Sequence, residues 1–190
     1  VTIDGPEIGQ LGAIAKEYGL YICGGGVVEE VKEFPDRWFN TNFIVGPSGD
    51  VVLRYHKWHI PAYIGLGTSP HDMFDEYCEV FGGDIKTLFP VIDTEIGKLG
   101  TMTCHDGCTP EVSRALGFNG AEVICHPGAI QEFEGVSEPW DFWMFTRRTR
   151  AHDNMAYLLG SNWGTVNYDY YPKAFCPGHS FAIDYTGLVL

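Results

Sequence analysis

The sequence has few basic residues: 12 Lys and Arg stand against 25 Asp and Glu, giving a formal net charge of -13 at pH 7. Proteins that bind nucleic acid neutralise phosphates with clustered Lys and Arg, so this balance argues against a nucleic-acid partner. No apolar run approaches the ~20 residues of a membrane span, and no basic-then-apolar leader opens the sequence. We therefore expect neither a nucleic-acid nor a membrane partner.

The sequence also lacks repeats, linkers and low-complexity segments, and 45% of its 190 residues are hydrophobic. A chain of this length can bury a sizeable core, which predicts one domain over residues 1–190. The cysteines fall mostly inside predicted strands rather than in loops, which favours a reducing, cytoplasmic compartment over a disulfide framework. They are Cys23, Cys78, Cys104, Cys108, Cys125 and Cys176.

Helical and extended segments alternate along the chain, which is typical of a layered α/β protein. Apolar spacing predicts a first helix from Ile8 to Tyr18 that ends at Gly19, and the longest helix is predicted over residues 138–154. Strands are predicted at residues 20–23, 42–45, 51–55, 88–92, 99–104, 122–126, 156–161 and 181–184.

Residues 100–111 (GTMTCHDGCTPE) predict a buried strand, a turn and a capped helix in succession. Thr109 is a good helix N-cap, and Pro110 fits the first helical turn. Cys104 is therefore expected where a strand passes into a helix N-terminus, whose partial positive charge favours a thiolate. This arrangement predicts a nucleophile, although free cysteines more often serve as small buried hydrophobes.

Two further motifs flank this run: residues 54–61 (RYHKWHIP) before it and residues 118–127 (FNGAEVICHP) after it. Together the three motifs resemble the nitrilase, or carbon-nitrogen hydrolase, superfamily. The resemblance is ordered and continues through residues 4–25, 42–52, 89–100, 150–162 and 178–190. It implies a four-layer αββα sandwich, catalysis without a cofactor, and a homodimer or higher homo-oligomer.

Lys57 is the cation that the resemblance pairs with Cys104. It follows a predicted strand, and it would share a sheet edge with Cys104 if the two strands were parallel neighbours. An ammonium there would stabilise the thiolate and then the oxyanion of a tetrahedral intermediate. The resemblance thus implies hydrolysis of a small amide, N-carbamoyl group or nitrile through an acyl-enzyme at Cys104.

Glutamates complete the site in the family. The resemblance implies a general-base glutamate on a strand ahead of the first helix, and no glutamate before Lys57 matches it. We therefore expect the base to lie outside this sequence, in a longer enzyme.

In the family, a second glutamate, shortly before an aromatic-Gly-Asp stretch, often supports the lysine. Glu76 precedes residues 81–84 (FGGD) in that way, with a spacing from Lys57 that resembles the N-carbamoyl amino acid branch; Glu79 is its rival, and either could be loop charge.

Four more residues are expected at the substrate. The backbone N–H of His105, just past the nucleophile, is a candidate oxyanion donor. His126, Asn162 and Trp163 follow predicted strands at the same edge and are expected to line the pocket. The sequence His-Asp-Gly at 105–107 is closer to the amidase and formamidase branches than to nitrilases proper, which favours an amide or carbamoyl substrate.

Two other classes of function stay open. One is a metal-dependent hydrolase, because three His-Asp pairs contain residues that bind hydrolytic metals. The pairs are His71-Asp72, His105-Asp106 and His152-Asp153. Cys104 with Cys108, or Cys176 with His179, could begin a zinc site, but no closely spaced second pair completes either one. The other class is a non-catalytic family member that serves as a binding module.

Overall fold

The computed structural model of the chain describes residues 2–61, 67–129, 142–164 and 178–190. The helices in these ranges are α1 (Pro6–Tyr18), α2 (Phe74–Phe81), α3 (Ile85–Leu88), α4 (Pro110–Phe118) and α5 (Phe142–Asn154). The strands are β1 (Ile22–Glu30), β2 (Trp38–Val45), β3 (Val51–His56), β4 (Val91–Thr94), β5 (Gly97–Thr101), β6 (Val123–Cys125), β7 (Tyr157–Gly160) and β8 (Phe181–Ile183). Short 3-10 helices cover Pro70–Met73 and Cys104–Cys108.

The strands form two sheets. The first is antiparallel with the order β1-β2-β3. The second has the order β4-β5-β6-β7-β8, in which β5, β6 and β7 run parallel and the edge strands β4 and β8 run antiparallel to their neighbours. Parallel neighbours need a crossover connection, and α4 and α5 lie between β5 and β6 and between β6 and β7 in the chain.

Each sheet carries helices on its outer face, and the two sheets pack against each other. Ile8 and Ala15 of α1 are buried together with Phe43 of β2, which covers the first sheet. The larger core joins both sheets to α4 and α5; among its members are Ile44, Leu53, Leu99, Leu116, Leu158 and Ala151. The layers are therefore helix, sheet, sheet, helix, and the predicted αββα sandwich is confirmed.

Several predicted boundaries shift. Helix α1 ends at Gly19 as expected, in the left-handed conformation (φ 64°) that glycine adopts without strain. Strand β1 runs to Glu30, beyond the predicted 20–23. The sequence pattern does not predict this extension, because residues 24–26 are glycines and show no apolar pattern. Residues 138–141 of the longest predicted helix lie outside the described residues, and α5 is described from Phe142.

The segment before β4 is helical where the sequence pattern predicts none. Tyr77 is the one buried residue of α2. A single buried position gives no apolar periodicity from which a helix could be predicted. Leu88, expected in a strand, ends α3, because the Asp84 carboxylate accepts hydrogen bonds from the N–H groups of Lys86 and Thr87 and so starts a helix there. Among the described helices, none is long and apolar enough to cross a membrane.

The cysteines are less often in strands than expected. Cys23 and Cys125 lie in β1 and β6, but Cys78 is helical and the nucleophile candidate shares its 3-10 turn with Cys108. All five described cysteines are free thiols. Cys176 lies outside the described residues.

Candidate active site

Cys104 begins a short 3-10 turn rather than α4 itself. Strand β5 ends at Thr101, the turn covers Cys104–Cys108, and α4 begins only at Pro110. The predicted order of strand, turn and helix is present, but the strand ends at Thr101, three residues before Cys104, so the cysteine lies in the turn and not at the end of the predicted strand 99–104. Cys104 has a φ of 48°, a left-handed conformation that strains a side chain with a Cβ.

Asp106 holds this turn against the end of β3. It is fully buried, and its carboxylate accepts hydrogen bonds from the Thr103 N–H (3.1 Å), the Tyr55 hydroxyl (2.8 Å) and the His59 N–H (2.9 Å). Two of these donors flank Lys57 in sequence. One carboxylate thus joins the segment that carries the cysteine to the segment that carries the lysine.

Lys57 and Cys104 come from different sheets. Lys57 directly follows β3 of the first sheet, and Cys104 lies three residues past β5 of the second. The condition under which the two residues would share one sheet edge, parallel neighbouring strands, is not met, because among the described strands β3 pairs with β2 alone. The two residues meet because the sheets pack face to face and Asp106 joins their ends.

The Lys57 side chain is buried, and the described residues give its ammonium no hydrogen-bond partner. Its residue is 1% exposed, and Nζ has no hydrogen-bond partner among the described residues. A buried ammonium is costly when no partner balances its charge. Its positive charge also acts on the cysteine turn: burial first and then Lys57 lower the pKa of His105.

A cavity of about 420 Å³ opens onto these residues. Cys104, Lys57, His105, Asn162 and Trp163 all line it, so the structure brings five of the predicted residues together. The other described lining residues are Cys23, Gly24, Gly25, Gly26, Val28, Trp38, Asn40, Pro61, Thr103, Pro127, Gly128, Ala129, Trp143 and Ser161. None of the lining residues in the described ranges is a carboxylate.

His126 lies behind the cysteine turn and not in the cavity wall, which corrects its predicted position. It is fully buried, and its Nε2 lies 2.9 Å from the Cys104 carbonyl oxygen. A carbonyl only accepts, so Nε2 carries the proton. Burial, with the Arg147 charge second, lowers the pKa of His126 to about 3. The imidazole is therefore neutral at pH 7.

This lowered pKa makes stability depend on pH. Between pH 6.5 and about 3 the unfolded chain binds a proton at residue 126 that the folded chain does not, so stability falls as the pH falls. The loss approaches about 1.4 kcal/mol per pH unit. We expect His126→Gln, whose amide can still donate to the Cys104 carbonyl, to remove this contribution from urea unfolding free energies measured between pH 7 and 4.5. His152→Gln, an exposed change on α5, is the control; equal slopes for wild type and His126→Gln would contradict the assignment.

Glu76 lies on α2 with its side chain exposed and is not part of the cavity wall. Because Nζ of Lys57 has no described hydrogen-bond partner, the contact expected between these two residues is not formed in the described structure. Its supporting role stays a prediction. Glu29 of β1, unlike Glu76, is buried, and its carboxylate accepts hydrogen bonds from Thr41 (2.7 Å) and Arg54 (3.1 Å). Glu29 does not line the cavity either.

These elements, spacing and cavity can be compared with known proteins. A family model described as carbon-nitrogen hydrolase matches residues 1–190. The chain belongs to the carbon-nitrogen hydrolase family. It is 28% identical to omega-amidase NIT2-B of Xenopus laevis over 156 residues, which are 82% of this chain and 52% of that protein. It is 27% identical to the deaminated glutathione amidase of Mus musculus over 190 residues, or 99% of this chain and 55% of that protein.

The chain spans about half the length of these curated relatives. Its fold is shared with a solved carbon-nitrogen hydrolase from Helicobacter pylori G27, with a TM-score of 0.73 at 24% identity over 97% of this chain and 61% of that chain. The match confirms the family fold for the described layers.

Some residues that line the cavity are not predicted from the sequence. Trp38 and Asn40 come from β2, residues 24–26 from β1, and Trp143 from α5. The Lys57 N–H donates to the Asn40 carbonyl (2.9 Å), and this backbone pairing places Asn40 beside the lysine. That pairing depends on strand register, which the amino-acid pattern alone leaves open.

The metal hypothesis gains no ligand set among the described residues. Within residues 2–61, 67–129, 142–164 and 178–190, no three His, Cys, Asp or Glu side chains converge as metal ligands do. His71 packs its ring against Trp58 (4.8 Å between centroids), and Asp106 is occupied by the turn contacts. The Cys176 alternative lies outside the described residues.

Proposed function

We propose that the protein hydrolyses the carbon-nitrogen bond of a small amide through an acyl-enzyme at Cys104. The observation that carries this proposal is Nζ of Lys57, which is buried without a hydrogen-bond partner among the described residues, in the wall of the cavity that Cys104 lines. Family membership supports amide chemistry, because the matched relatives are an omega-amidase and a deaminated glutathione amidase.

In the proposed reaction the Cys104 thiolate attacks the amide carbon, and a C–S bond forms as the carbonyl π electrons move to oxygen. The Lys57 ammonium and the backbone N–H of His105 then stabilise that oxyanion. The C–N bond breaks, and the leaving nitrogen takes a proton and departs as ammonia or an amine. Water hydrolyses the thioester, which releases the acid and restores the thiol.

The proton transfers fall to a group outside the described cavity wall, since that wall contains no carboxylate among the described residues. Burial first and then Lys57 lower the pKa of His105, which favours its neutral form beside the oxyanion.

The described wall favours a compact substrate with an apolar part. Trp38, Trp143 and Trp163 contribute indole rings, and residues 24–26 contribute only glycine. Asn162 and Ser161 add polar atoms to the wall. We propose an amide first, with carbamoyl and nitrile groups as the competing substrates. A homo-oligomer and a cytoplasmic location remain predictions.

The test is ammonia release from a panel of primary amides, N-carbamoyl amino acids and nitriles, repeated with hydroxylamine present. We expect amides to be the best substrates and hydroxylamine to divert product to the hydroxamate, because it attacks a thioester faster than water does. Hydrolysis without hydroxamate would contradict the acyl-enzyme. Binding of amides with no turnover of any member of the panel would favour the binding-module alternative.

A further inference from the structure

Arg147 of α5 is a fully buried cation behind the cysteine turn. Its residue is 0% exposed, and it forms no ion pair with a carboxylate of the described residues. Its Nη1 donates to the Thr146 hydroxyl (2.7 Å) and its Nη2 to the Cys104 carbonyl (3.2 Å). The guanidinium also stacks over the Trp143 ring, 4.7 Å from its centroid.

Among the described residues, two thiols act on the Arg147 guanidinium: Cys108, through a hydrogen bond and its charge, and then Cys104, through its charge. Burial lowers the pKa of Arg147, and the neighbouring Cys108 and Cys104 oppose that shift. A buried guanidinium is costly when nothing balances its charge, so an anion that forms beside it is stabilised. The anion that the proposed reaction requires is the Cys104 thiolate.

Arg147 also fixes the backbone of the turn. It shares the Cys104 carbonyl with His126 Nε2, so two donors hold the residue that has the strained φ of 48°. Gly107 leaves room for both donors: a Cβ there would lie 2.5 Å from His126 Cε1 and 3.2 Å from Arg147 Nη2. The turn sequence thus fits these two side chains.

We propose that Arg147 is a positioning residue that holds the Cys104 backbone and supplies a buried positive charge to its thiolate. This inference rests on the proposed function of Cys104. Arg147 does not line the cavity, so it acts through Cys104 and not on the substrate. The other titratable groups around the thiol are Lys57, His105, Asp106, Cys108 and His126.

The test compares Arg147→Met, Arg147→Gln and Arg147→Lys with the control Arg148→Met, which changes an exposed arginine of the same helix. The rate of Cys104 alkylation by iodoacetamide is measured against pH, with peptide mapping to identify the labelled thiol, and kcat and KM are measured on the best amide. Without the charge, alkylation at pH 7 should fall about tenfold and its pH profile should move to higher pH. KM should stay within about twofold while kcat falls about 10–100-fold.

The Gln and Lys variants separate charge from packing. Arg147→Lys keeps the charge and should keep the alkylation profile, whereas Arg147→Gln keeps donors and should shift it as Met does. A wild-type alkylation profile in a folded Arg147→Met would overturn the inference. If Arg147→Met does not fold, the Gln and Lys variants decide, and identical alkylation profiles for these two would overturn the inference. If wild type releases no ammonia, the proposed function fails separately, because the alkylation profiles remain measurable.

Discussion

Replacing Cys104 by alanine should lower amide hydrolysis by at least about 10⁴-fold, because no other described thiol combines a place in the cavity wall with a position on the Asp106-held turn. The loss should appear in kcat, since the acyl bond to sulfur cannot form. Ammonia release with substrate in excess measures it, and intact-mass analysis shows whether substrate still modifies the protein.

The matched control is Cys78→Ala, which removes a free thiol from α2 outside the cavity wall and should leave kcat within about twofold. The strain at Cys104 gives a second comparison. Since its φ is 48°, Cys104→Gly should be more stable to urea than Cys104→Ala by about 1 kcal/mol. Retained hydrolysis in Cys104→Ala would end the proposed mechanism, whatever the order of stabilities.

The layered fold could be predicted because its signals are local. Each described strand overlaps a predicted segment, although β4 overlaps only the end of the segment predicted at 88–92. Gly19 ends α1, as the backbone freedom of glycine suggests. The misses also have local causes. Strand β1 continues past residues 24–26, where the glycines show no apolar pattern; Gly24 pairs with Phe43 of β2, and after a register shift the pairing resumes at Val27. Helix α3 depends on the Asp84 cap more than on apolar spacing.

The site was predictable in its residue types but not in its geometry. Cys104 and Lys57 share the cavity as expected, yet they reach it from two sheets, and that juxtaposition depends on how the sheets pack. The contributions of Asn40 and Arg147 depend on strand register and helix rotation, which a single sequence leaves undetermined. His126 shows the same limit, because its strand delivers it to the far side of the turn.

Replacing Lys57 by methionine should lower kcat about 100–1000-fold, the typical cost of removing one donor from a developing oxyanion. Methionine has a similar length and fills the same space without charge. Because Nζ of Lys57 is buried with no described partner, its removal should not destabilise the fold, and urea unfolding should show equal or greater stability by about 1–2 kcal/mol. Activity and stability should therefore change in opposite directions.

That opposition is what distinguishes a catalytic lysine from a structural one. A lysine that holds the two sheets together would lose activity and stability together when replaced. Lys98→Met, an exposed change on β5, is the control and should alter neither quantity measurably. Lys57→Arg keeps the charge but not the compact ammonium, so it should recover little activity. Full activity in Lys57→Met would show that the oxyanion is stabilised by backbone N–H groups alone and that the buried charge serves another purpose.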